Sequence, residues 1–514
     1  MAAAGLNPQD MDPETRKLLQ EALRRGLTIP IGPQPERTDL LAFCQAAYPG
    51  YEVAPHLLRL TGLLEQVARG NVRRLLVSMP PRHGKSTTAS ILFPAWFLGQ
   101  RPDSRVVLTS YSADLAQRFS RQVREVVTGE EYRRVFPGIG LAPDSRSVEA
   151  WDIGGRRGGL KAVGVGGPLT GHGADILIID DFFKNAEESN SATVRQSVWD
   201  WFTTTAFTRL EPGGAIVVCA ARWHEDDLIG RLLVAEAEAA KSGHAGERWE
   251  VLHLPALDDQ DRPLWPERYD SDALGQIRFT LGSRDWEALY QGRPQAPGGG
   301  MLKRSWFRTV TPENVPPLRN VAVGVDLAVT AKSRADYTVA LPLGVDKENN
   351  YYLFRPARGQ WEWPDARREI MTRVRTMPQC RRVGMEKVAF QAAAAQELRR
   401  EPQMAGYSIV DVPADRDKVT RAGGWSPLAE QGRMYLVDDG SGWHEVFLAE
   451  AEQFPQGRND DLVDAVGIGM EMIRAPSSHA PVVGGTNRVL AALSQVHAYA
   501  GGAGLPPPGK YYPR

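Results

Sequence analysis

The sequence predicts an α/β protein with two domains, each built around a sheet of its own. In the first half of the chain, short and almost wholly apolar runs alternate with helical segments, a pattern typical of a mainly parallel sheet buried on both faces. In the second half, three closely spaced strands precede an alternation of helices and strands. The length of 514 residues agrees with two domains, because a single core seldom grows that large.

These patterns divide the chain into five regions. The run Gly292–Gly300 is rich in glycine and proline and indicates a linker or hinge, and the C-terminal residues are rich in proline, glycine and alanine, as in flexible tails. The predicted regions are a polar N-terminal segment at 1–49 with a short helix near Pro13–Arg25, a first α/β domain at 50–255, a linker region at 256–315, a second α/β domain at 316–475 and a flexible tail at 476–514.

Composition narrows the class of protein and its partners. No apolar run approaches the roughly 20 residues that span a bilayer, and residues 1–10 lack the features of a signal peptide, so we expect no membrane partner and no secretion. Three widely separated cysteines indicate neither a disulfide framework nor a zinc cluster and favour a reducing cytoplasm. With a net charge of −1, any contact with nucleic acid depends on local basic patches.

A glycine–lysine–serine turn lies between a strand and a helix in the first domain. The strand Arg74–Ser78 leads into it, and a helix follows from about Lys85 to Leu98. Such a turn directs backbone N–H groups at phosphate and indicates a P-loop NTPase-type domain that binds ATP, although Met79 stands where the first glycine is usual. Lys85 is predicted on the β- and γ-phosphates and the Ser86 hydroxyl on Mg²⁺. The residues predicted to contact the nucleotide are Pro81, Arg82, His83, Gly84, Lys85, Ser86 and Thr87, together with Asp180.

An apolar strand that ends in two aspartates supplies the second part of this site. In Ile176–Asp181, Asp180 is predicted to hold Mg²⁺ through water, and Asp181 to take the water-activating position in which glutamate is usual. A solvated strand end is the less favoured alternative for these acids, because the glycine–lysine–serine turn precedes them at a suitable distance. Arg82 has two open interpretations, because it could stabilise charge that develops on the γ-phosphate or pair with an acidic neighbour. For the His83 side chain a structural role is favoured.

A polar segment follows the next buried strand of the first domain. Within Cys219–Asp227, the chain leaves an apolar strand and turns polar abruptly, which suits a sensor that reports the state of the γ-phosphate. The alternative is a helix N-terminus with Asp226 or Asp227 in its cap or first turn. Both interpretations can hold together.

Carboxylates from distant parts of the second half are spaced for metal-dependent phosphoryl chemistry. Asp326 lies in an apolar strand, where an ionised carboxylate is costly unless a metal or a partner compensates it. Glu386 ends a second apolar strand, and Asp460 and Asp461 open a helix. We predict that Asp326 bridges two Mg²⁺ or Mn²⁺ ions about 4 Å apart, with Glu386 on one ion and Asp460 or Asp461 on the other. Asp464, one helical turn later, is a further candidate ligand, and simple helix capping is the alternative for these last acids.

The order of elements in the second half is that of a ribonuclease-H-like fold. Three hairpin-linked strands come first, and helices and strands then alternate to a final helix. The predicted fold class is therefore α/β, with a P-loop NTPase-type parallel-sheet domain followed by a ribonuclease-H-like nuclease domain.

With both sites in view, the chain resembles the large terminase subunit of tailed double-stranded DNA bacteriophages over about residues 40–475. Asp181 departs from the glutamate usual in that family, and no residue clearly matches the arginine that such rings commonly supply from a neighbouring subunit. The segments that carry the resemblance are Met79-Pro-Pro-Arg-His-Gly-Lys-Ser86, Arg222-Trp-His-Glu-Asp-Asp-Leu228, and Phe454-Pro455 followed by Asn459-Asp-Asp-Leu-Val-Asp-Ala465.

The resemblance implies a viral DNA-packaging motor. Its ATPase would drive double-stranded DNA into an empty procapsid, and its endonuclease would cut concatemers into genome lengths. It also implies a small terminase subunit and the portal protein as partners, a homo-oligomeric ring, expected to be a pentamer, on the portal, and a place in the host cytoplasm. Two alternatives stay open. One is a helicase-like or repair ATPase whose ribonuclease-H-like domain binds DNA without cutting it. The other is a non-enzymatic prophage remnant, against which the intact Lys85, Asp180, Asp326, Glu386, Asp460 and Asp461 argue.

Overall fold

The computed structural model describes residues 35–145, 147–169, 171–242, 246–295, 300–328, 337–377, 379–387, 389–413 and 417–474. The strands in these ranges form two sheets, one in each half of the chain. No helix among the described residues is both long enough and apolar enough to span a bilayer. The predicted helix near residues 13–25 and the predicted tail at 476–514 lie outside the described residues.

The first sheet has seven strands. They are β1 (Arg74–Ser78), β2 (Arg105–Ser110), β3 (Ala150–Asp152), β4 (Gly159–Gly164), β5 (Ala174–Asp180), β6 (Leu210–Ala220) and β7 (Glu250–His253). Their order in the sheet is β3-β4-β2-β5-β6-β1-β7, and every neighbouring pair is parallel except β3 with β4. The carboxyl ends of β1 and β5 therefore open on the same edge, with β6 between them.

The second sheet has eight strands and mixed directions. They are β8 (Phe307–Val310), β9 (Leu318–Asp326), β10 (Thr338–Asp346), β11 (Tyr351–Leu353), β12 (Ala357–Gly359), β13 (Cys380–Lys387), β14 (Ser408–Pro413) and β15 (Met434–Val437). The order is β14-β13-β9-β10-β11-β15-β8, with β12 paired to β10. Strands β9, β10 and β11 are antiparallel neighbours, whereas β13 and β14 continue the sheet in parallel with β9.

Helices cover both faces of each sheet, because alternate residues of the central strands point to opposite sides. In β1, Leu75 and Val77 belong to one apolar cluster and Leu76 to another. In β9, Val323 and Ala322 divide in the same way. The α-helices are Pro35–Thr38, Leu40–Ala47, Pro55–Arg69, Phe93–Gln100, Ala113–Thr128, Glu130–Val135, Ala186–Asn190, Ala192–Trp201, Leu228–Ser242, Ser271–Asp285, Trp363–Arg375, Ala389–Arg400, Lys418–Gly423, Ser426–Glu430, Trp443–Gln453 and Asp461–Arg474.

The region predicted as a linker, 256–315, contains ordered structure that belongs to both halves. The Ala256 N–H donates to the Tyr290 carbonyl at 2.7 Å, and Leu254 donates to Ser78 at the end of β1 at 2.9 Å. At its other end, β8 pairs with β15 and so belongs to the second sheet. Composition marked 292–300 as a linker. Before this run, Trp265 packs into a core of the first sheet and Trp286 into a small separate cluster. After it, Met301 and Leu302 pack into a core of the second sheet.

Candidate active sites

The predicted nucleotide-binding turn connects β1 to a helical run that begins at Lys85. Gly84 has a φ of +90° and Arg82 a φ of +61°, so the chain reverses through the left-handed region, in which glycine alone meets no steric penalty. Met79, at the place of the usual first glycine, is buried, and its N–H donates to the Ala220 carbonyl at 3.3 Å. The pairing of β1 with β6 thus extends to Met79, at the start of the turn.

Lys85 is buried and faces the two aspartates at the end of β5. Its Nζ lies 2.6 Å from Asp181 Oδ1 and 3.7 Å from Asp180 Oδ1. Burial lowers the pKa of Lys85, but the charges of Asp181 and Asp180 outweigh it and raise that pKa above its ordinary value. The turn therefore presents a permanently charged ammonium, which can exchange a carboxylate for phosphate oxygens.

Asp180 ends β5 and is fully buried. Ser90 Oγ donates to its Oδ2 at 2.7 Å, and Ser90 and Ser86 both act to lower the pKa of this carboxylate. Burial raises the pKa of Asp180 above its ordinary value, and the nearby charge of Lys85 opposes this. Asp180 Oδ1 is buried without a hydrogen-bond partner. A serine hydroxyl and a carboxylate are hard oxygen donors of the kind that Mg²⁺ prefers, so this pair fits the predicted metal.

Asp181 follows Asp180 with a φ of +50°. Its Oδ1 accepts hydrogen bonds from Lys85 and from the Ala221 N–H, the latter at 3.2 Å. Its carbonyl accepts from the Tyr111 N–H at 2.8 Å, which ties it to the end of β2. Asp181 is therefore positioned from two neighbouring strands, and its side chain is more exposed than that of Asp180.

Arg82 and His83 lie beside aromatic residues from the region that follows β7. The His83 ring is fully buried, stacks on Tyr269 with 4.9 Å between ring centroids, and bonds through Nδ1 to the Pro81 carbonyl at 2.8 Å. Arg82 is exposed. Burial raises the pKa of Tyr290 to about 12, and the nearby charge of Arg82 acts against this rise. Contacts of either residue with a nucleotide stay predictions.

The polar segment after β6 contains a buried ion pair. Arg222 Nε donates to Asp227 Oδ2 at 2.6 Å, and Asp227 Oδ1 accepts from the Gly230 N–H at 2.9 Å, in the first turn of the helix Leu228–Ser242. Burial raises the pKa of Asp227 to about 6, although Arg222 opposes this. Asp227 thus has the capping contact that was one of the two expectations for this segment, and the role of γ-phosphate sensor stays a prediction.

In the second half, close helix–strand packing brings acids from distant positions together. Residues 322, 324 and 326 of β9 share one face of the sheet. A Cβ on Gly324 would lie 2.0 Å from the Ala465 carbonyl oxygen, so only glycine lets the helix Asp461–Arg474 lie this close to the strand. Asp326 is two residues further along the same face. The missing side chain of Gly324 therefore sets the distance between Asp326 and the acids of that helix.

Glu386 joins this group through the register of the sheet. Met385 of β13 is paired with Val325 of β9, which places Glu386 beside Asp326. Burial raises the pKa of Asp326 well above its ordinary value. The charges of Asp464, Asp461 and Glu386 add to this rise, and the charge of Lys418 opposes it. Four carboxylates are thus close enough to influence one another electrostatically.

Two basic residues of the helix Lys418–Gly423 partly neutralise these carboxylates. Lys418 Nζ lies 2.6 Å from Asp460 Oδ1 and 3.2 Å from Asp464 Oδ2. Arg421 Nη2 lies 2.6 Å from Glu386 Oε1, and its Nη1 lies 3.8 Å from Asp464 Oδ1. Burial raises the pKa of Asp464 to about 6, against the effect of Lys418.

The donor set of the site fits a hard divalent cation. All five acids predicted as ligands supply carboxylate oxygens, and Asp461 Oδ2 is buried without a hydrogen-bond partner. With Lys418 and Arg421 paired to these acids, no three His, Cys, Asp or Glu side chains among the described residues are grouped closely enough to hold a metal, so the acids would have to move closer together around an ion. The residues that would hold it are Asp326, Glu386, Asp460, Asp461 and Asp464.

Two family models match the chain in the order in which these sites occur. The terminase large subunit, T4likevirus-type, N-terminal model matches residues 76–309, and the terminase RNaseH-like domain model matches residues 323–472. This chain belongs to the large terminase subunit family. The fold class predicted from the sequence is confirmed, with the ATPase domain first and the RNase-H-like nuclease domain second. No curated protein gave a match.

Solved structures similar to this large terminase subunit are phage terminases of low sequence identity. The large terminase of a thermophilic bacteriophage, in its crystal form 2, is 10% identical, with 85% of this chain and 98% of that chain covered and a TM-score of 0.48. The large terminase of bacteriophage HK97 is 12% identical, with 85% and 98% covered and a TM-score of 0.37. The family assignment rests on the two family models, because these TM-scores lie below 0.5.

Several residues at the two sites of this terminase subunit were not predicted. Ser90 lies one helical turn after Ser86, so the i, i+4 spacing was an available signal for it. Lys418 and Arg421 have the i, i+3 spacing of one helix face, but no local pattern connects them with acids 35 and 42 residues away. Glu450 was also missed: its buried carboxylate accepts hydrogen bonds from the N–H groups of Leu462 at 2.6 Å and Val463 at 3.3 Å, in the first turn of the helix that carries Asp461.

Proposed function

We propose that this large terminase subunit is a DNA-packaging motor that also cuts its substrate. ATP hydrolysis in the first domain drives double-stranded DNA into a procapsid, and a two-metal endonuclease in the second domain cuts concatemeric DNA at initiation and termination. The arrangement that supports the motor best is the Lys85 ammonium between Asp180 and Asp181, next to a strand–turn–helix that can receive phosphate.

In the first domain, Lys85 binds the β- and γ-phosphates of ATP and Asp181 orients water at the γ-phosphate. Ser86 and Asp180 are the residues that hold Mg²⁺. When the nucleotide binds, its anionic oxygens replace Asp181 on the Lys85 ammonium, and this frees the Asp181 carboxylate to accept a proton from water. The exchange links nucleotide binding to activation of Asp181 as the general base.

In the second domain, Asp326, Glu386, Asp460, Asp461 and Asp464 hold two divalent cations. Such ions, when bound, activate water and stabilise the leaving 3′-oxygen. Burial and the charges of Asp464 and Asp461 raise the pKa of Asp326, and this supports the assignment, since a divalent cation would offset both effects. We further propose that a small terminase subunit and a portal protein are the partners in the host cytoplasm, and that the active form is a ring, expected to be a pentamer, on the portal.

The experiment compares two variants of the full chain in two assays. Lys85→Ala should lower ATP hydrolysis by at least roughly a hundredfold, because the preorganised cation is lost, and should leave Mn²⁺-dependent plasmid cleavage intact. Asp326→Asn should abolish cleavage and leave ATP hydrolysis intact. Because Asn relieves repulsion among the acids, this variant should unfold at the same temperature as the wild type or higher.

Each assay can contradict the proposal. Wild-type ATPase activity in Lys85→Ala would exclude the assigned nucleotide site, and unchanged cleavage by Asp326→Asn would exclude the assigned nuclease site. A wild-type chain that hydrolyses ATP and binds DNA but never cuts it would favour the helicase-like alternative.

A further inference from the structure

The helix Lys418–Gly423 brings two cations to the nuclease carboxylates, and the two differ in how they are held. Lys418 Nζ lies between Asp460 and Asp464, at 2.6 and 3.2 Å, and its side chain is 54% exposed. Arg421 pairs with Glu386 at 2.6 Å, and its side chain is only 4% exposed. One cation therefore has free access to solvent, and the other is enclosed by protein.

Packing fixes the enclosed cation in place. A Cβ on Gly467 would lie 2.7 Å from both Cγ and Cδ of Arg421, so the stem of this arginine fills the space that Gly467 leaves on the helix Asp461–Arg474. The stem of Arg421 is therefore held by the packing of the two helices, and its guanidinium is buried against Glu386. Lysine carries a compact charge on a flexible stem, and the half-exposed stem of Lys418 can rotate into water without disturbing the core.

We propose that Lys418 is a metal surrogate: its ammonium holds Asp460 and Asp464 together in the metal-free nuclease site and is displaced when a divalent cation binds there. Arg421 remains as a positioning residue for Glu386. This inference rests on the proposed function of the second domain as a metal-dependent nuclease.

The charges of the site support this exchange. Asp464 and Asp461 crowd the buried Asp326 with like charge, and the charge of Lys418 offsets part of this repulsion before any metal arrives. An ammonium and a divalent cation repel each other and compete for the same carboxylate oxygens, so both cannot stay within contact distance of Asp460 and Asp464. Lys418 is more exposed than the arginine beside it, so it is the cation that leaves.

The test is a Mn²⁺ titration of the full chain without nucleotide, with free Mn²⁺ measured by electron paramagnetic resonance. Lys418→Met keeps an apolar stem and removes the charge. It should bind Mn²⁺ roughly two- to fivefold more tightly than the wild type, as expected when a half-exposed ion pair no longer competes. It should also unfold at a lower temperature without metal, and saturating Mn²⁺ should restore the wild-type value.

Two controls separate competition from a general charge effect. Lys387→Met removes an exposed lysine that follows Glu386 in β13 and lies outside the ion pairs of Lys418 and Arg421, so it should change Mn²⁺ affinity much less. Asp326→Asn removes a proposed ligand and should weaken binding.

The outcomes distinguish this inference from the proposed function. Suppose that the wild type binds Mn²⁺ and that Asp326→Asn weakens this binding. If Lys418→Met then binds Mn²⁺ with unchanged or lower affinity, or only as tightly as Lys387→Met, the surrogate role of Lys418 is wrong and the nuclease assignment stands. If the wild type shows no Mn²⁺ binding that is lost in Asp326→Asn, the surrogate role and the nuclease assignment are both overturned.

Discussion

His83 is a buried histidine whose neutral ring is part of the packing beneath the nucleotide-binding turn. The ring stacks on Tyr269, and the His83 carbonyl bonds to His56 Nε2 at 2.9 Å. Burial lowers the pKa of His83 to about 4, and the neighbouring charge of Arg268 acts in the same direction. The Nε2 atom is buried without a hydrogen-bond partner, so a second proton on the ring would have no acceptor.

Acidification should therefore destabilise the first domain through His83. In the unfolded chain, His83 takes up a proton as the pH falls below the ordinary histidine pKa of about 6.5, whereas in the folded chain it takes up this proton only near pH 4. The stability that the neutral ring contributes above pH 6.5 is thus lost as the pH falls through this window, by up to about 3 kcal/mol. Denaturant unfolding at pH 7.5 and pH 5 should show a smaller acid loss for His83→Phe than for the wild type.

The control for this pH effect is His172→Phe, which changes a partly buried histidine outside the nucleotide-binding turn. It should leave the acid loss close to that of the wild type. An equal acid loss in His83→Phe and the wild type would show that His83 does not titrate in this range.

At the scale of single elements, the helix Asp461–Arg474 begins on a carboxylate from another helix. Glu450, in Trp443–Gln453, is buried and accepts from the Leu462 and Val463 N–H groups, two of the four that a helix start leaves without an intrahelical partner. Arg358 Nη2 lies 3.3 Å from the other carboxylate oxygen of Glu450. The orientation of the first turn, and of the acids it carries, therefore depends on this contact.

Replacing Glu450 by alanine should destabilise the second domain by about 1–3 kcal/mol, because two buried donors lose their acceptor. Glu450→Gln is the matched control, since its amide oxygen can still accept both hydrogen bonds, and its loss should be clearly smaller. Urea unfolding of the full chain followed by tryptophan fluorescence measures both. Equal losses of stability in the two variants would mean that the helix requires the negative charge of Glu450 and not only an oxygen that accepts the two hydrogen bonds.

The elements that the sequence predicted correctly are those whose signals are local. The strand–turn–helix around Lys85 and the apolar strand before Asp180 each lie within a short stretch of chain, and so does the run of Val321 and Val323 before Asp326. The contacts that complete the sites are not local: Arg421 reaches Glu386 across 35 residues. Such pairs arise from sheet register and helix packing, which a single sequence does not reveal.

At the scale of the whole molecule, the two halves meet through short polar contacts between helices. Ser283 donates through both N–H and Oγ to Glu430, the N–H at 2.8 Å. Asn190 Nδ2 donates to Thr420 Oγ1 at 3.0 Å. Thr420 belongs to the helix that carries Lys418, and Asn190 ends a helix that begins shortly after Asp181. The acids proposed for the nuclease site and those proposed for the nucleotide site are thus connected through one pair of helices.

Glu430→Ala should loosen the contact between the halves without unfolding either one. Loss of two hydrogen bonds to a charged group weakens the docked state by roughly 1–2 kcal/mol, or about tenfold in its opening equilibrium. Amide hydrogen exchange in Ser426–Glu430 and Ser271–Asp285 should therefore accelerate by about that factor, whereas exchange in β9 should stay unchanged. Glu445→Ala, which breaks the exposed pair with Arg304 inside the second half, is the control and should accelerate neither helix. Faster exchange throughout β9 in Glu430→Ala would mean instead that this contact holds the second domain folded, and that the two halves do not open as separate units.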